Sequence, residues 1–146
     1  MSFCLILLAA GNSKRFGSKI PKPFIKVGGK TILEHSLYKF NKIKKIKKIV
    51  VVFNKKHKKF FRYIKSNNFL KVTGGKTRQE STHKALKFIK KNRVKFTNVL
   101  IHDAARPNFS LKLINQIIKA SKKNTVVPRI PIHDALKELI GNGILL

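Results

Sequence analysis

Residues 3–11 read FCLILLAAG: an unbroken apolar run from Phe3 to Ala9, closed by the small residues Ala10 and Gly11. Alternating polar and apolar residues mark a strand with one wet face. An uninterrupted run marks a strand covered on both faces, the habit of a parallel sheet. No basic segment precedes the run and a glycine loop follows it at once. It is too short to cross a membrane and has the wrong flanks for a secretory signal, so it reads as a buried first strand.

Working outward from this strand, the punctuation alternates between strand and helix signals. A polar loop runs from Gly11 to Pro23. A short extended piece, Phe24 to Val27, meets the Gly28-Gly29 turn, and Thr31 then caps a helix carrying Ile32, Leu33, Ser36, Leu37 and Phe40. Ile49 to Phe53 is expected as the second core strand, and Lys56 to Ser66 as a helix with Phe60, Phe61 and Ile64 inward. A short strand at Leu70 to Thr73 and the pair Gly74-Gly75 lead into a helix from about Arg78 to Lys91, with Ala85, Leu86 and Ile89 at helical spacing. Val99 to His102 is expected as a third apolar strand, Leu111 to Lys122 as a helix with Leu113, Ile114, Ile117 and Ile118, and Thr125 to Val127 as a further strand. This alternation predicts a single α/β domain, a doubly wound, mostly parallel sheet that binds ligands at the carboxyl ends of its strands.

Composition narrows the function. The 146 residues hold 34 Lys and Arg against 5 Asp and Glu, a formal charge of +29. Such an excess invites a nucleic-acid reading. Only six of the cations are arginine, however, and lysines run through nearly every segment. Base readout and bidentate phosphate contacts lean on arginine, so dispersed lysine argues for a compositional bias and not for a dedicated nucleic-acid surface. Cys4 is the only cysteine. No disulfide framework or cysteine metal cluster follows, and a reducing cytoplasm is expected. His35, His57, His83 and His133 have no ligand spacing, so no zinc site is predicted.

Three polar segments each follow an expected strand, which brings them to one edge of the sheet. In the first, LAAGNSKRFGSKIPKPF (residues 8–24), Ala9, Ala10 and Gly11 let backbone N–H groups approach a phosphate or base, and Lys14, Arg15, Lys19 and Lys22 supply cations. Taken alone, this is equally a basic surface loop. It is neither a Walker loop nor a dinucleotide fingerprint. The second, GGKTRQES (residues 74–81), places Gly75, Arg78 and Ser81 at a helix start, and is by itself also an ordinary strand-to-helix turn. The third, IHDAARPNFS (residues 101–110), ends a strand with Asp103, a natural Mg²⁺ ligand among cationic loops. Its neighbour His102 suits a hydrogen-bonded packing role better than a metal or base role. No nucleophile, base and orienter set stands out. Glycines, cations and one carboxylate suit nucleotidyl transfer, where positioning and charge neutralisation do most of the catalysis.

Together, AAGNSKRFG with PKPF, GGKTRQES and HDAARP, continuing through VPRIPIHDALK, resemble the methylerythritol phosphate cytidylyltransferases in order and spacing. The resemblance implies a Rossmann-like fold of the nucleotide-diphospho-sugar transferase type, with helices on both faces of the sheet. It implies CTP and 2-C-methyl-D-erythritol 4-phosphate as substrates, Mg²⁺ as cofactor, release of pyrophosphate and a homodimer. It further implies that Arg15 and Lys22 are the catalytic cations and that Asp103 is the metal and ribose carboxylate. Ala9, Ala10, Gly11, Gly75 and Ser81 would contact the cytidine, with Arg78 and Arg106 binding or bracing the site.

Ser13 stands where the family often has glycine, Pro23 where it often has glutamine, and Lys76 where some relatives carry an acid. Members of the family also continue well past DALK into a dimer arm, so the chain is expected to lack the end of the domain. Asn142-Gly143 is expected as a hairpin turn whose second strand is cut off, leaving Ile144, Leu145 and Leu146 without a partner strand. Within the class, a cytidylyltransferase for another alditol phosphate, such as ribitol 5-phosphate, shares the glycine loop and the lysine. HDAARP weighs against it.

Overall fold

The computed structural model describes residues 1–11, 17–65, 68–131, 139–140 and 143–144. They divide into two compact units, Met1–Leu111 and Lys112–Leu146.

The first unit is built on β1 (Phe3–Ala9), every residue of which is buried. A hairpin of β2 (Lys26–Val27) and β3 (Lys30–Thr31) leads into α1 (Ile32–Asn41), followed by β4 (Ile46–Phe53), β5 (Leu70–Thr73), α2 (Arg78–Lys91) and β6 (Asn98–Asp103). The sheet order is β5-β4-β1-β6, and each neighbouring pair is parallel. The chain winds outward from β1 through β4 to β5, then crosses back to β6 on the other side. That reversal at β1 is the switch point at which doubly wound sheets hold their ligands.

The alternating faces of β1 explain its unbroken apolarity. Cys4, Ile6 and Leu8 join Val50, Val52 and Val72 in a core closed by Ala85 and Ile89 of α2. Burial there pushes the Cys4 thiol up to about 11, so it packs as a small apolar group. On the opposite face Leu7 is in register with His102 and Ala9 with Phe53. There the ring of Phe40, from α1, lies 5.2 Å from His102, and Phe61 lies 4.8 Å from Phe53. Helices therefore cover both faces, as expected.

Local signals set most element ends. The Thr31 hydroxyl accepts from the Glu34 backbone N–H while the Glu34 carboxylate accepts from the Thr31 N–H, a reciprocal capping box that starts α1. Val27 pairs with Lys30 across Gly28 and Gly29, whose φ values of 55° and 79° are the left-handed pair a two-residue hairpin turn requires. The Thr77 hydroxyl caps α2 by accepting from Glu80 N–H at 3.0 Å.

Several expectations are corrected. Phe24 belongs to a 3-10 turn, Lys22–Phe24, and not to an extended piece. The expected helix over 56–66 is a 3-10 segment, Lys55–Tyr63. Like charges four residues apart, Lys55 with Lys59 and Lys58 with Arg62, oppose α-helical packing there. Leu86 is 39% exposed because the inward stripe of α2 runs through Ser81, Ala85 and Ile89, one step to its side.

α3 (Leu111–Ala120), which lies in the second unit from Lys112 on, buries Ile114 and Ile118 and leaves Leu113 exposed. Residues 125–127 form no strand, and Val127 is 79% exposed. β7 (Leu139–Ile140) pairs antiparallel with β8 (Gly143–Ile144), Ile140 facing Gly143 and Leu139 facing Ile144. Gly143, expected within the turn, therefore lies in β8, and Ile144 has a strand partner. Among the described residues, no helix is long and apolar enough to cross a membrane.

Candidate functional site

The carboxyl ends of β1, β4, β5 and β6 open into one cleft of about 700 Å³. Nine of the ten expected site residues line it: Ala9, Ala10 and Gly11 after β1, Lys22 from the 3-10 turn, Gly75, Arg78 and Ser81 around the start of α2, and Asp103 and Arg106 after β6. Arg15 lies outside the described residues, as does Lys14, while Lys19 is exposed and does not line the cleft.

The turn between β5 and α2 is shaped by contact with its neighbours. A Cβ at Gly74 would stand 2.6 Å from Ala10 Cβ, 2.8 Å from Ser81 Oγ and 3.2 Å from Val52 Cγ1, so only glycine lets this backbone lie against the loop after β1. Gly75 N–H donates to the buried Ser81 Oγ at 3.0 Å, and Lys76 N–H donates to Glu80 Oε2 at 2.7 Å. Ser81 thus spends its oxygen on the turn as well as lining the cleft. Gly11 is different: among the described residues nothing lies within 4 Å of a Cβ placed there, so none of them dictates its small size by close packing.

Asp103 sits at the end of β6 with both oxygens engaged. Arg78 Nε donates to Oδ1 at 3.1 Å, and Arg106 Nε lies 3.2 Å from Oδ2. Both arginines are mostly exposed, so these pairs organise the cleft more than they stabilise the fold. The following loop is fastened from below. Ala104 N–H donates to Leu8 O at 2.9 Å, and Ser36 Oγ donates to Ala104 O at 3.0 Å in a fully buried setting. Lys39 Nζ reaches Pro107 O at 2.8 Å and Phe109 O at 3.0 Å. His102 packs edge-on against Phe40 and Phe109 and bonds Arg106 O at 2.9 Å. Burial is the main cause holding its imidazole below the ordinary value, which fits the packing role expected of it.

Sequence reasoning missed Asn54 and Lys55, which follow β4 and also line the cleft. The signal was present: Asn54 ends the apolar run of β4 just as Gly11 follows that of β1. Among the described residues no group of three or more His, Cys, Asp or Glu side chains is placed to hold a metal. One carboxylate suits a Mg²⁺ ion that draws its other ligands from phosphates and water. It does not make a protein cage.

The sequence and the fold have the same relatives. The family model for 2-C-methyl-D-erythritol 4-phosphate cytidylyltransferase matches residues 3–146. A bifunctional IspD/IspF enzyme of Pelagibacter ubique is 50% identical over 145 residues, 99% of this chain and 38% of that protein. A 2-C-methyl-D-erythritol 4-phosphate cytidylyltransferase of Wigglesworthia glossinidia brevipalpis is 39% identical over 144 residues, 96% of this chain and 61% of that protein. The solved structure of the bifunctional IspDF from Campylobacter jejuni matches with a TM-score of 0.79 at 30% identity, covering 100% of this chain and 37% of that one. The chain therefore spans under two thirds of the length of each of these relatives. With the family model spanning residues 3–146 and relatives of this kind in both sequence and fold, the chain belongs to the 2-C-methyl-D-erythritol 4-phosphate cytidylyltransferase family.

Proposed function

We propose that the cleft binds CTP and that the protein transfers its cytidylyl group to 2-C-methyl-D-erythritol 4-phosphate, releasing pyrophosphate, as a step in making isoprenoid precursors. The observation that carries this reading is the convergence of small-residue loops, cations and a single carboxylate on one cleft at the sheet's switch point, in a chain of this family. Backbone N–H groups around Ala9 to Gly11 suit a pyrimidine ring held at close range, with the Gly75 turn, its own N–H bonded to Ser81 Oγ, forming the wall beside it. An oxygen of the acceptor's phosphate attacks the α-phosphorus of CTP in line, and negative charge gathers on the non-bridging oxygens. Arg15 and Lys22 are the cations assigned to that charge, with Arg78 and Arg106 bracing the site. No general base is needed, because the attacking phosphate is already anionic.

Asp103 is the residue that would hold Mg²⁺, which when bound screens the triphosphate and eases departure of pyrophosphate. Taking up the ion then requires the carboxylate to share itself between the cation and its two arginines. The working protein is read as a cytoplasmic homodimer without membrane attachment or specific nucleic-acid binding.

A pyrophosphate-release assay with CTP, Mg²⁺ and the acceptor tests the reaction on this chain and on a version extended to the length of its relatives. The extended protein should turn over, and Arg15→Ala or Lys22→Ala in it should lose on the order of 10²-fold in rate while still folding. The chain alone should bind nucleotide with little turnover. Near-normal rates from both variants would make these residues a basic loop only.

A further inference from the structure

We infer that Lys55 is a further phosphate-binding residue of the cleft, held beside Lys22 by an aromatic cluster and directed at the polyphosphate arm of the nucleotide. The inference rests on the reading above for the nature of that arm. It begins with charge: among the described residues the cleft is lined by Lys22, Lys55, Lys76, Arg78 and Arg106, against Asp103 alone. Both oxygens of Asp103 already meet Arg78 and Arg106. Several cations around one committed carboxylate repel one another and are best relieved by a ligand with several negative charges.

Position supports Lys55 in particular. It is the first residue of the 3-10 segment that follows β4, and β4 lies between β5 and β1 in the sheet. Its loop thus emerges between the Gly74-Gly75 turn and the Ala9–Gly11 loop. Asn54 fixes the start of the segment: its side-chain oxygen accepts from Lys56 N–H at 3.0 Å and its carbonyl from His57 N–H at 2.8 Å. The segment is then tied to the turn that carries Lys22. Phe24 stacks on Phe60 at 5.4 Å and meets Phe61 edge-on at 5.3 Å, while Phe61 packs on Phe53 at the end of β4 at 4.8 Å. Phe24 and Phe61 are both buried. Two lysines that line the cleft therefore stand on segments joined by one aromatic cluster, an arrangement that presents charge to an anion without ordering long loops at the moment of binding.

Calorimetric titration with sodium tripolyphosphate, which carries the phosphates without a base, decides the matter. The unaltered chain should bind it, Lys55→Met should weaken binding at least five-fold, and Lys55→Arg should restore most of it. Lys58→Met removes an exposed lysine of the same segment that does not line the cleft, and should leave binding unchanged. Cytidine without phosphates should bind the Lys55→Met variant as it binds the unaltered chain. Equal tripolyphosphate affinity in Lys55→Met, an equal loss in Lys58→Met, or no binding by the unaltered chain would each overturn the inference. If tripolyphosphate binding depends on Lys55 while CTP binds no better than ATP, Lys55 keeps its role and the cytidylyl reading falls.

Discussion

The two loops that face each other across the cleft are held in opposite ways. The turn over residues 74–81 is fixed mainly from within: Gly75 N–H bonds Ser81 Oγ six residues on, Lys76 N–H bonds Glu80, and Thr77 caps the helix that follows. The loop over 103–109 is fixed by α1, through Ser36 Oγ on Ala104 O and Lys39 Nζ on Pro107 O and Phe109 O, across sequence separations of 68 and 70 residues. The first loop is shaped by local turn chemistry and one steric requirement. The second has its shape imposed by a distant helix, so it depends on the tertiary fold for the position of Asp103 and Arg106.

The largest effect should come from the steric requirement. Gly74→Ala pushes a methyl group into Ala10 and Ser81, and Ala10 has no flexible side chain to move aside. The expected cost is about 1–3 kcal/mol, as for overpacking elsewhere. CTP affinity should fall on the order of 10²-fold, the equivalent of roughly 2.7 kcal/mol. Urea unfolding and calorimetry measure the two. A variant of wild-type stability and affinity would show that the first loop is not held by close packing at all.

Ser36→Ala should come next. It leaves the carbonyl of buried Ala104 without its hydroxyl partner, at about 1–3 kcal/mol. Lys39→Met, which frees two carbonyls nearer the surface, should cost less. Amide hydrogen exchange separates the loops: both variants should speed exchange at 104–109 and leave 74–81 untouched. Equal acceleration in both loops would erase the distinction between them.

The same contrast explains what could be read without a structure. The bounds of β5 and α2, Leu70–Thr73 and Arg78–Lys91, match the expected ones because Gly74-Gly75 and the cap at Thr77 are local signals. The cleft residues were legible for a related reason, since each follows an apolar run that ends at the same sheet edge. Nothing in the sequence around Ser36 or Lys39 announced that α1 would fasten a loop nearly 70 residues away. The β-branched run at 125–127 misled in the other direction. An extended run becomes a strand only when a neighbour takes up its N–H and C=O groups, and among the described residues none does.

Acid should act on the second loop, where buried His102 is held below its ordinary value, and also on the segment that carries Lys55. His57 lies against Phe24 and Phe60, and its Nδ1 is buried without a hydrogen-bond partner. Burial first, then the nearby Lys56 charge, holds the imidazole below its ordinary value of 6.5. The unfolded chain therefore takes up the proton at higher pH than the folded one. This contribution to stability is fully present above pH 6.5 and is lost as the pH falls through that value toward the folded pKa. Thermal unfolding between pH 7.5 and 5.5 should show the loss, and His57→Gln should reduce it, leaving the part that belongs to His102. An unchanged slope in that variant would place the acid sensitivity elsewhere.

The smallest effect on folding belongs to Gly11. With no described residue within 4 Å of where its Cβ would stand, Gly11→Ala should shift stability by no more than about 0.5 kcal/mol. Its consequence should appear only as weaker CTP binding. Loss of folding would mean that Gly11, like Gly74, is held by packing.

The most direct test of the central claim is a calorimetric titration of the chain with CTP, ATP and GTP in the presence of Mg²⁺. The proposed function, in which backbone donors at Ala9–Gly11 hold a pyrimidine and cations take its phosphates, predicts CTP binding at least ten-fold tighter than either purine nucleotide. Equal affinity for the three would contradict the cytidine assignment and leave the cleft a polyphosphate site without a base preference.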